Sequence, residues 1–459
     1  MSSKLDQLFH LSERHTDVKT EVIAGVTTFM TMAYILAVNP NILSASGMDQ
    51  GAIFTATCLA SMIATVLMAL LSNYPFVLSA GMGLNAYFAF TVVGQMGYSW
   101  QMALAAVFVE GLIFFLLSLT HVREALFNAI PTPLKHAVSA GIGLFIAFIG
   151  MQNAKLVVNN DSTLLSVFSM KDSIKAGTFH TEGITVILTL IGVLFTAFLI
   201  VKKVKGNILI GILATWVVGI LCQFTGLYVP DNVSFFSLLP DFSNGISIPS
   251  IAPTFMHMDF SKVFTMDFVV IMFAFLFVDM FDTLGTLIGV ASKADMLDKD
   301  GKLPRIKGAL MADAVATSVG AIFGTSTTTT FVESASGVAV GGRTGLTALV
   351  TGILFLVSTL FAPIFTAIPS FATAPALIMV GFLMVGTVTE INFDLDNLTE
   401  SIPAYLAIIA MPLFYSISEG ISLGVISYVL LNVAAGKGKK VAPLMYVLAV
   451  LFVLKYIFL

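Results

Sequence analysis

Long apolar runs separated by short polar joints set the pattern of this chain. Runs suited to crossing a bilayer fall near 21–40, 51–72, 75–94, 101–120, 134–152, 184–201 and 207–225. A second set falls near 263–291, 307–323, 325–341, 345–368, 372–389 and 401–434, with a last apolar segment at 441–459. About 20 apolar residues suffice for a transmembrane helix, and unbroken runs exclude the alternating segments of a transmembrane β-barrel. Two runs are poor simple helices. Residues 76–90 read FVLSAGMGLNAYFAF, with Gly81 and Gly83 just before Asn85; residues 324–342 read GTSTTTTFVESASGVAVGG, with a threonine run before Glu333. Consecutive β-branched threonines favour extended backbone, and glycine weakens a helix interior by about 1 kcal/mol against alanine. Each run is predicted to be a short extended piece leading into a half-helix, which survives at membrane depth only inside protein or beside a wet cavity. Residues 401–434 read as two half-spans around YSISEG (Tyr415–Gly420), where Glu419 and Gly420 interrupt the run, or else as one long span.

The two interrupted runs also stand in a common register. Asn85 and Glu333 are 248 positions apart, and the same shift carries Glu21 to Val269 and lays 31–34 (TMAY) onto 279–282 (DMFD). A seven-segment unit used twice has an odd span count, so its copies must be inverted. Interrupted segments at matching places in two halves point to a transporter's midplane site. The expected fold is an all-α polytopic membrane protein, its first repeat over 21–225 and its second over 263–459.

Composition agrees with the pattern. The 459 residues are 57% hydrophobic and 10% charged, against roughly 25% charged for a soluble domain, and the mean hydropathy is +0.97. The net charge of −4 matters less than where Lys and Arg fall. Arg14 and Lys19 precede the first run; Arg123 and Lys135 lie between the fourth and fifth; Lys202, Lys203 and Lys205 lie between the sixth and seventh. Lys293, Lys299, Lys302, Arg305 and Lys307 follow the eighth. All share one side if the N-terminus is cytoplasmic, which leaves 226–262 as an external loop. Residues 1–20 are amphipathic, without the layout of a signal peptide, and are expected along the cytoplasmic surface. Cys58 and Cys222 lie in apolar runs and make neither a disulfide framework nor a metal motif. No cofactor and no nucleic-acid partner is expected.

Candidate chemistry centres on 273–290, FAFLFVDMFDTLGTLIGV, where Asp279 and Asp282 interrupt an apolar run. At i and i+3 they point the same way on a helix, and Thr286 at i+7 continues that face. A carboxylate in hydrocarbon costs about 2.5–3.5 kcal/mol even on lenient scales, so the pair must look into a polar cavity or a protein interior. It is either structural, or it divides substrate contact and proton handling between two acids that cannot easily both ionise. Glu333 is expected in the first turn of its half-helix, where the dipole favours negative charge; the plainer reading is a cap. A carboxylate and the Asn85 carboxamide together suit a flat ring rich in donors and acceptors. Asp313 is a further intramembrane acid, either a helix pin or part of the coupling. Phe275, one turn before Asp279, is a candidate stacking neighbour for an aromatic substrate. His121 and His136 are expected in a solvated loop.

With these residues in place the chain resembles the nucleobase–cation symporter-2 superfamily, and within it the AzgA-like hypoxanthine/guanine/adenine permeases. The resemblance rests on TTFMTMAYILAVNP (27–40), SAGMGLNAYFAF (79–90), FVDMFDTLGTLIG (277–289), GTSTTTTFVESASGVAVGGRTGLTA (324–348) and IPAYL with MPLFYSISEGI (402–421). It implies a UraA-like fold of fourteen transmembrane segments in two inverted repeats. Segments 1–4 (21–120) and 8–11 (263–368) would form a core, and segments 5–7 (134–225) and 12–14 (372–459) a gate. It also implies proton-coupled purine uptake across the cytoplasmic membrane, and a homodimer through the gate. By motif, Asp279 and Glu333 match substrate-contacting acids, Asn85 a site-shaping residue, and Asp282 the neighbouring acid tied to coupling.

Two competing readings remain. An anion transporter of the same fold fits poorly with three acids around the site, since an anion wants Arg, Lys or helix N-termini. An intramembrane aspartyl protease needs its two aspartates on different helices, and here Asp279 and Asp282 share one.

Overall fold

The computed structural model describes residues 4–120, 130–231, 235–243, 245, 247–293, 296, 303–393 and 397–458. Arg123, Lys299 and Lys302, used above for orientation, and His121 lie outside the described residues.

Among the described residues ten helices are long and apolar enough to cross a membrane. Local chemistry fixes their ends. Asp17 caps Val18–Met32 by accepting from the Thr20 amide at 2.9 Å, and Asp49 caps Gln50–Ser72 by accepting from the Ala52 amide at 2.7 Å. Ser99 does the same for Trp100–Leu119. Such caps satisfy amides that have no partner within the helix. Around these helices the chain is multi-pass, and the 28-residue helix Met266–Lys293 carries the two aspartates.

Both interrupted runs form as the threonines and glycines predict. Leu78–Ala80 and Thr328–Thr330 are strands, paired antiparallel in the register Leu78 to Thr330, Ser79 to Thr329 and Ala80 to Thr328. Helix Met82–Ala86 follows the first and widens into the π-helical stretch Tyr87–Gln95; helix Ser334–Val340 follows the second. Gly81 donates to the Thr327 carbonyl and Phe331 to the Val77 carbonyl, extending the pairing. Thr65 Oγ1 meets the Leu78 backbone, and Thr317 Oγ1 donates to the Thr328 carbonyl at 3.1 Å. Extended backbone is thus buried here with its polar groups met by protein.

The half-helices begin at Met82 and Ser334, so Glu333 stands at the N-cap position of its half-helix while Asn85 lies inside the first turn of the other. The antiparallel pairing itself carries no single offset, since Ala80 and Thr328 are 248 residues apart and Leu78 and Thr330 are 252.

Residues 401–434 do break into two helices, Leu398–Leu413 and Ile417–Ala434. The break falls at 414–416, ahead of Glu419 and Gly420. Tyr415 takes a left-handed φ of 54°, and Ser416 caps the second helix, with Glu419 three residues on in capping-box spacing. Glu419 starts a helix rather than interrupting one. The last apolar segment is a separate helix, Pro443–Phe458; its Phe452 ring lies against Phe273 and Phe277, 6.2 Å from each. The N-terminal arm is docked through Phe9 and Leu11, which bury against Ala69, Leu346 and Ala348. His136 lies within helix Thr132–Asn153 rather than in a loop, with Nδ1 3.2 Å from Glu390.

Candidate functional site

The strand crossing gathers side chains from four elements. Glu333 stands at the N-cap position of its half-helix without a side-chain capping bond, and accepts instead from the Tyr34 phenol at 2.7 Å. Tyr34 sits where the first span is jointed, between helices Val18–Met32 and Ile35–Ser44, and is fully buried. A second link joins the same elements, Thr31 Oγ1 to Ser336 Oγ at 2.8 Å. Glycine makes this approach feasible. A Cβ on Gly337 would meet Thr28 Oγ1 at 2.1 Å and the Ala24 carbonyl at 2.9 Å.

The aspartates do not share one partner. Successive residues of a helix are about 100° apart, so i and i+3 diverge by about 60°, enough to reach different neighbours. Asp282, partly exposed, accepts from Thr329 Oγ1 of the crossing strand at 3.3 Å and lies within electrostatic range of Asp313 and Glu333. Asp279 is fully buried and accepts from Thr283 Oγ1 at 2.9 Å. The same Thr283 oxygen lies 2.9 Å from Asp313 Oδ1. A hydroxyl has one proton to give. Either it is shared between two carboxylates, or one carboxyl is protonated and donates to the Thr283 oxygen, which passes its own proton on. Through this hydroxyl Asp313 ties helix Ile306–Phe323 to Met266–Lys293.

Asn85 is fully buried, and its carbonyl oxygen accepts from Ser326 Oγ. Its Nδ2, and the Thr328 and Thr330 hydroxyls, have no protein partner among the described residues. Phe275 is also buried, with its ring edge-on to Tyr87 at 4.9 Å and tilted to Phe88 at 6.3 Å. It packs the aspartate helix onto the first half-helix. Thr286 is buried further along the aspartate helix. A cavity of about 550 Å³ is lined by Tyr87 and Thr91 together with Ser418, Glu419 and Tyr456.

Sequence reasoning passed over two residues that bear on the site. Glu110 is fully buried in Trp100–Leu119 and accepts from Thr327 Oγ1 at 2.8 Å, holding the chain just ahead of the crossing strand. An acid alone in an apolar run was the available signal, as it was for Asp313. Tyr34 entered only as the repeat mate of Asp282, and nothing in the sequence pairs a tyrosine with an acid 299 residues away.

Residues 19–453 match the Xan_ur_permease profile, described as a permease family. The guanine/hypoxanthine permease PbuO of Bacillus subtilis is 45% identical over 97% of this chain and 98% of its own length. The adenine permease AdeP of Escherichia coli is 39% identical over 99% of this chain and 96% of its own length. Among solved structures, the transmembrane domain of the cyanobacterial bicarbonate transporter BicA superposes with a TM-score of 0.64 at 16% identity, covering 88% of this chain and 97% of that one. That last likeness is one of fold.

Proposed function

Because the chain belongs to the permease family matched over residues 19–453, and so is a transporter and not an enzyme, we propose that it is a purine nucleobase:proton symporter. Its cargo in this reading is hypoxanthine or guanine, or else adenine, taken across the cytoplasmic membrane. The relatives support the cargo class, since they are named as guanine/hypoxanthine and adenine permeases at 39–46% identity over nearly full length. The observation that carries the reading is the meeting of acid acceptors and one spare amide donor at the strand crossing. Purine rings present N–H donors and ring-nitrogen or carbonyl acceptors on one plane. Glu333 and Asp279 accept the N–H groups, Asn85 Nδ2 donates to an acceptor edge, and Asp282 is the neighbouring acid tied to coupling.

The Asp279–Thr283–Asp313 link supports proton coupling, since one hydroxyl between two carboxylates favours a proton on one of them. Alternating access then moves a core of segments 1–4 and 8–11 against a gate. The fourteen-segment inverted repeat, the cytoplasmic N-terminus and a dimer through the gate belong to the same reading. An anion cargo is disfavoured: the likeness to anion transporters is of fold, and acids line the crossing.

The test is uptake of radiolabelled hypoxanthine in a permease-deficient strain, challenged with guanine, adenine, xanthine and uracil. Competition by purines and collapse of accumulation by a protonophore are expected; dependence on sodium instead would overturn the coupling. Asp279→Asn and Glu333→Gln should each abolish uptake with expression near normal. Full uptake in either variant removes that residue from the site.

A further inference from the structure

A second cavity, about 510 Å³, lies away from the acids where the N-terminal arm meets the far end of the Glu333 half-helix. Its size is in the range of small-ligand pockets. Arg14, His15 and Thr16 form one wall, and Arg343 and Gly341 the other. From its position and chemistry we propose that this cavity binds a phosphate group, carried by a soluble phosphate or by a lipid headgroup.

Three observations carry the assignment. First, the cavity holds cationic forks with donors to spare. Among the described residues neither guanidinium is ion-paired. Arg343 Nη1 donates to the Val338 and Gly342 carbonyls at 2.7 and 2.8 Å, which leaves most of its five N–H donors for a ligand. Planar guanidinium forks match phosphate oxygens in pairs. Second, two guanidiniums outnumber the one acid on the rim, and a free hydroxyl joins them. Asp17 accepts from the Thr20 amide at 2.9 Å and its hydroxyl at 3.1 Å, whereas Thr16 Oγ1 is a buried hydroxyl with no protein partner. Third, the walls are built. Asn73 bridges them, donating to the Phe9 carbonyl and accepting from the Gly345 amide, each at 2.8 Å. The arm turns through left-handed backbone at His10 and His15. Gly341, at φ +116°, leaves the floor open where a Cβ would meet Thr20.

The site has a mechanical consequence. Arg343 closes the C-terminal end of the half-helix whose N-terminal end carries Glu333, so an occupant of this cavity touches the same rigid element as the acid. The site itself stands whatever the cargo is.

The experiment measures binding, not transport, on the purified full-length protein. One arm follows labelled inorganic phosphate in phosphatidylcholine nanodiscs. The other compares thermal stability in phosphatidylcholine with and without phosphatidylglycerol. Saturable phosphate binding that weakens at least about tenfold in Arg14→Ala supports a soluble source. Stabilisation by phosphatidylglycerol that is lost in Arg14→Ala supports a lipid source. Arg343→Gln should behave alike, but it also uncaps the half-helix, so Arg14→Ala decides if that variant misfolds. Lys19→Ala, a charge outside the cavity, should change neither readout. No response to either probe, or equal loss in Lys19→Ala, overturns the proposal.

Discussion

Tyr34→Phe tests whether the Glu333 carboxylate is held in place across the molecule. The phenol is buried and donates to Glu333 Oε1 at 2.7 Å, and phenylalanine keeps the ring and its packing while deleting that one donor. A hydrogen bond to a charged group contributes about 1.5–3 kcal/mol. If Glu333 must present its oxygens to a purine N–H, that loss falls on the transport step. At about 1.4 kcal/mol per tenfold, kcat/KM for uptake should drop between about 10- and 160-fold. Initial rates of radiolabelled hypoxanthine uptake across a concentration series give the ratio, with membrane expression quantified by immunoblot. Expression should stay near wild type, because no cavity is made. Uptake within about twofold of wild type at normal expression would show that Glu333 is fixed without Tyr34, and the positioning argument would fail.

Thr283→Val removes the hydroxyl shared by Asp279 and Asp313 at nearly constant volume; uptake should fall more than about tenfold and its pH profile should change, with Thr283→Ser restoring both. An unaltered profile in Thr283→Val would dismiss the proton link. Asp282→Asn, beside Thr329 at the crossing, should change the pH dependence of uptake more than the KM for hypoxanthine; an unchanged pH profile takes it out of the coupling. Gly337→Ala puts a Cβ 2.1 Å from Thr28 Oγ1, an overpacking worth about 1–3 kcal/mol, and should lower the thermal midpoint in detergent, with Thr28→Ala added to relieve it. No relief in the double variant would place the cost elsewhere.

Most of the architecture was legible because the interruptions are written in residue types with strong backbone preferences. Threonines 327–330 and Gly81 marked the two places where the chain stops being a helix, and the strands formed there. The jointed segment at 401–434 was legible too, its joint at Tyr415 falling at the start of the Tyr415–Gly420 stretch, although Glu419 there is the third residue of a capping box and not the interruption. What the sequence could not supply was side-chain direction. Asp279 and Asp282 sit on one helix at a spacing that suggests one cavity, yet the partner each finds is set by a different neighbouring element. Glu110 and Tyr34 were hidden for the same reason, because their partners are more than 200 residues away in the chain.

Glu21 shows how far such distant partnering governs the site. It is fully buried at the start of the first span, yet its carboxylate serves another helix, Gly345–Ser358. It accepts from the amides of Arg343, Thr344 and Thr347 at 2.8, 3.3 and 3.1 Å and from Thr347 Oγ1 at 2.6 Å. This is an N-cap provided across the fold, placing a negative charge at a helix N-terminus. Caps contribute about 0.5–2 kcal/mol and a favourably placed charge about 0.3–2. Glu21→Ala leaves those amides buried and unmet, so a loss of about 1–4 kcal/mol is expected. Glu21→Gln keeps one acceptor oxygen and should lose less. The backbone that Glu21 holds is also the turn after the Glu333 half-helix, so uptake should decline in the same order as the thermal midpoint: wild type, Gln, Ala. A midpoint unmoved by Glu21→Ala would mean that the turn is fixed by Arg343 and Asn73 alone. A midpoint lowered without loss of uptake would separate the cap from the site.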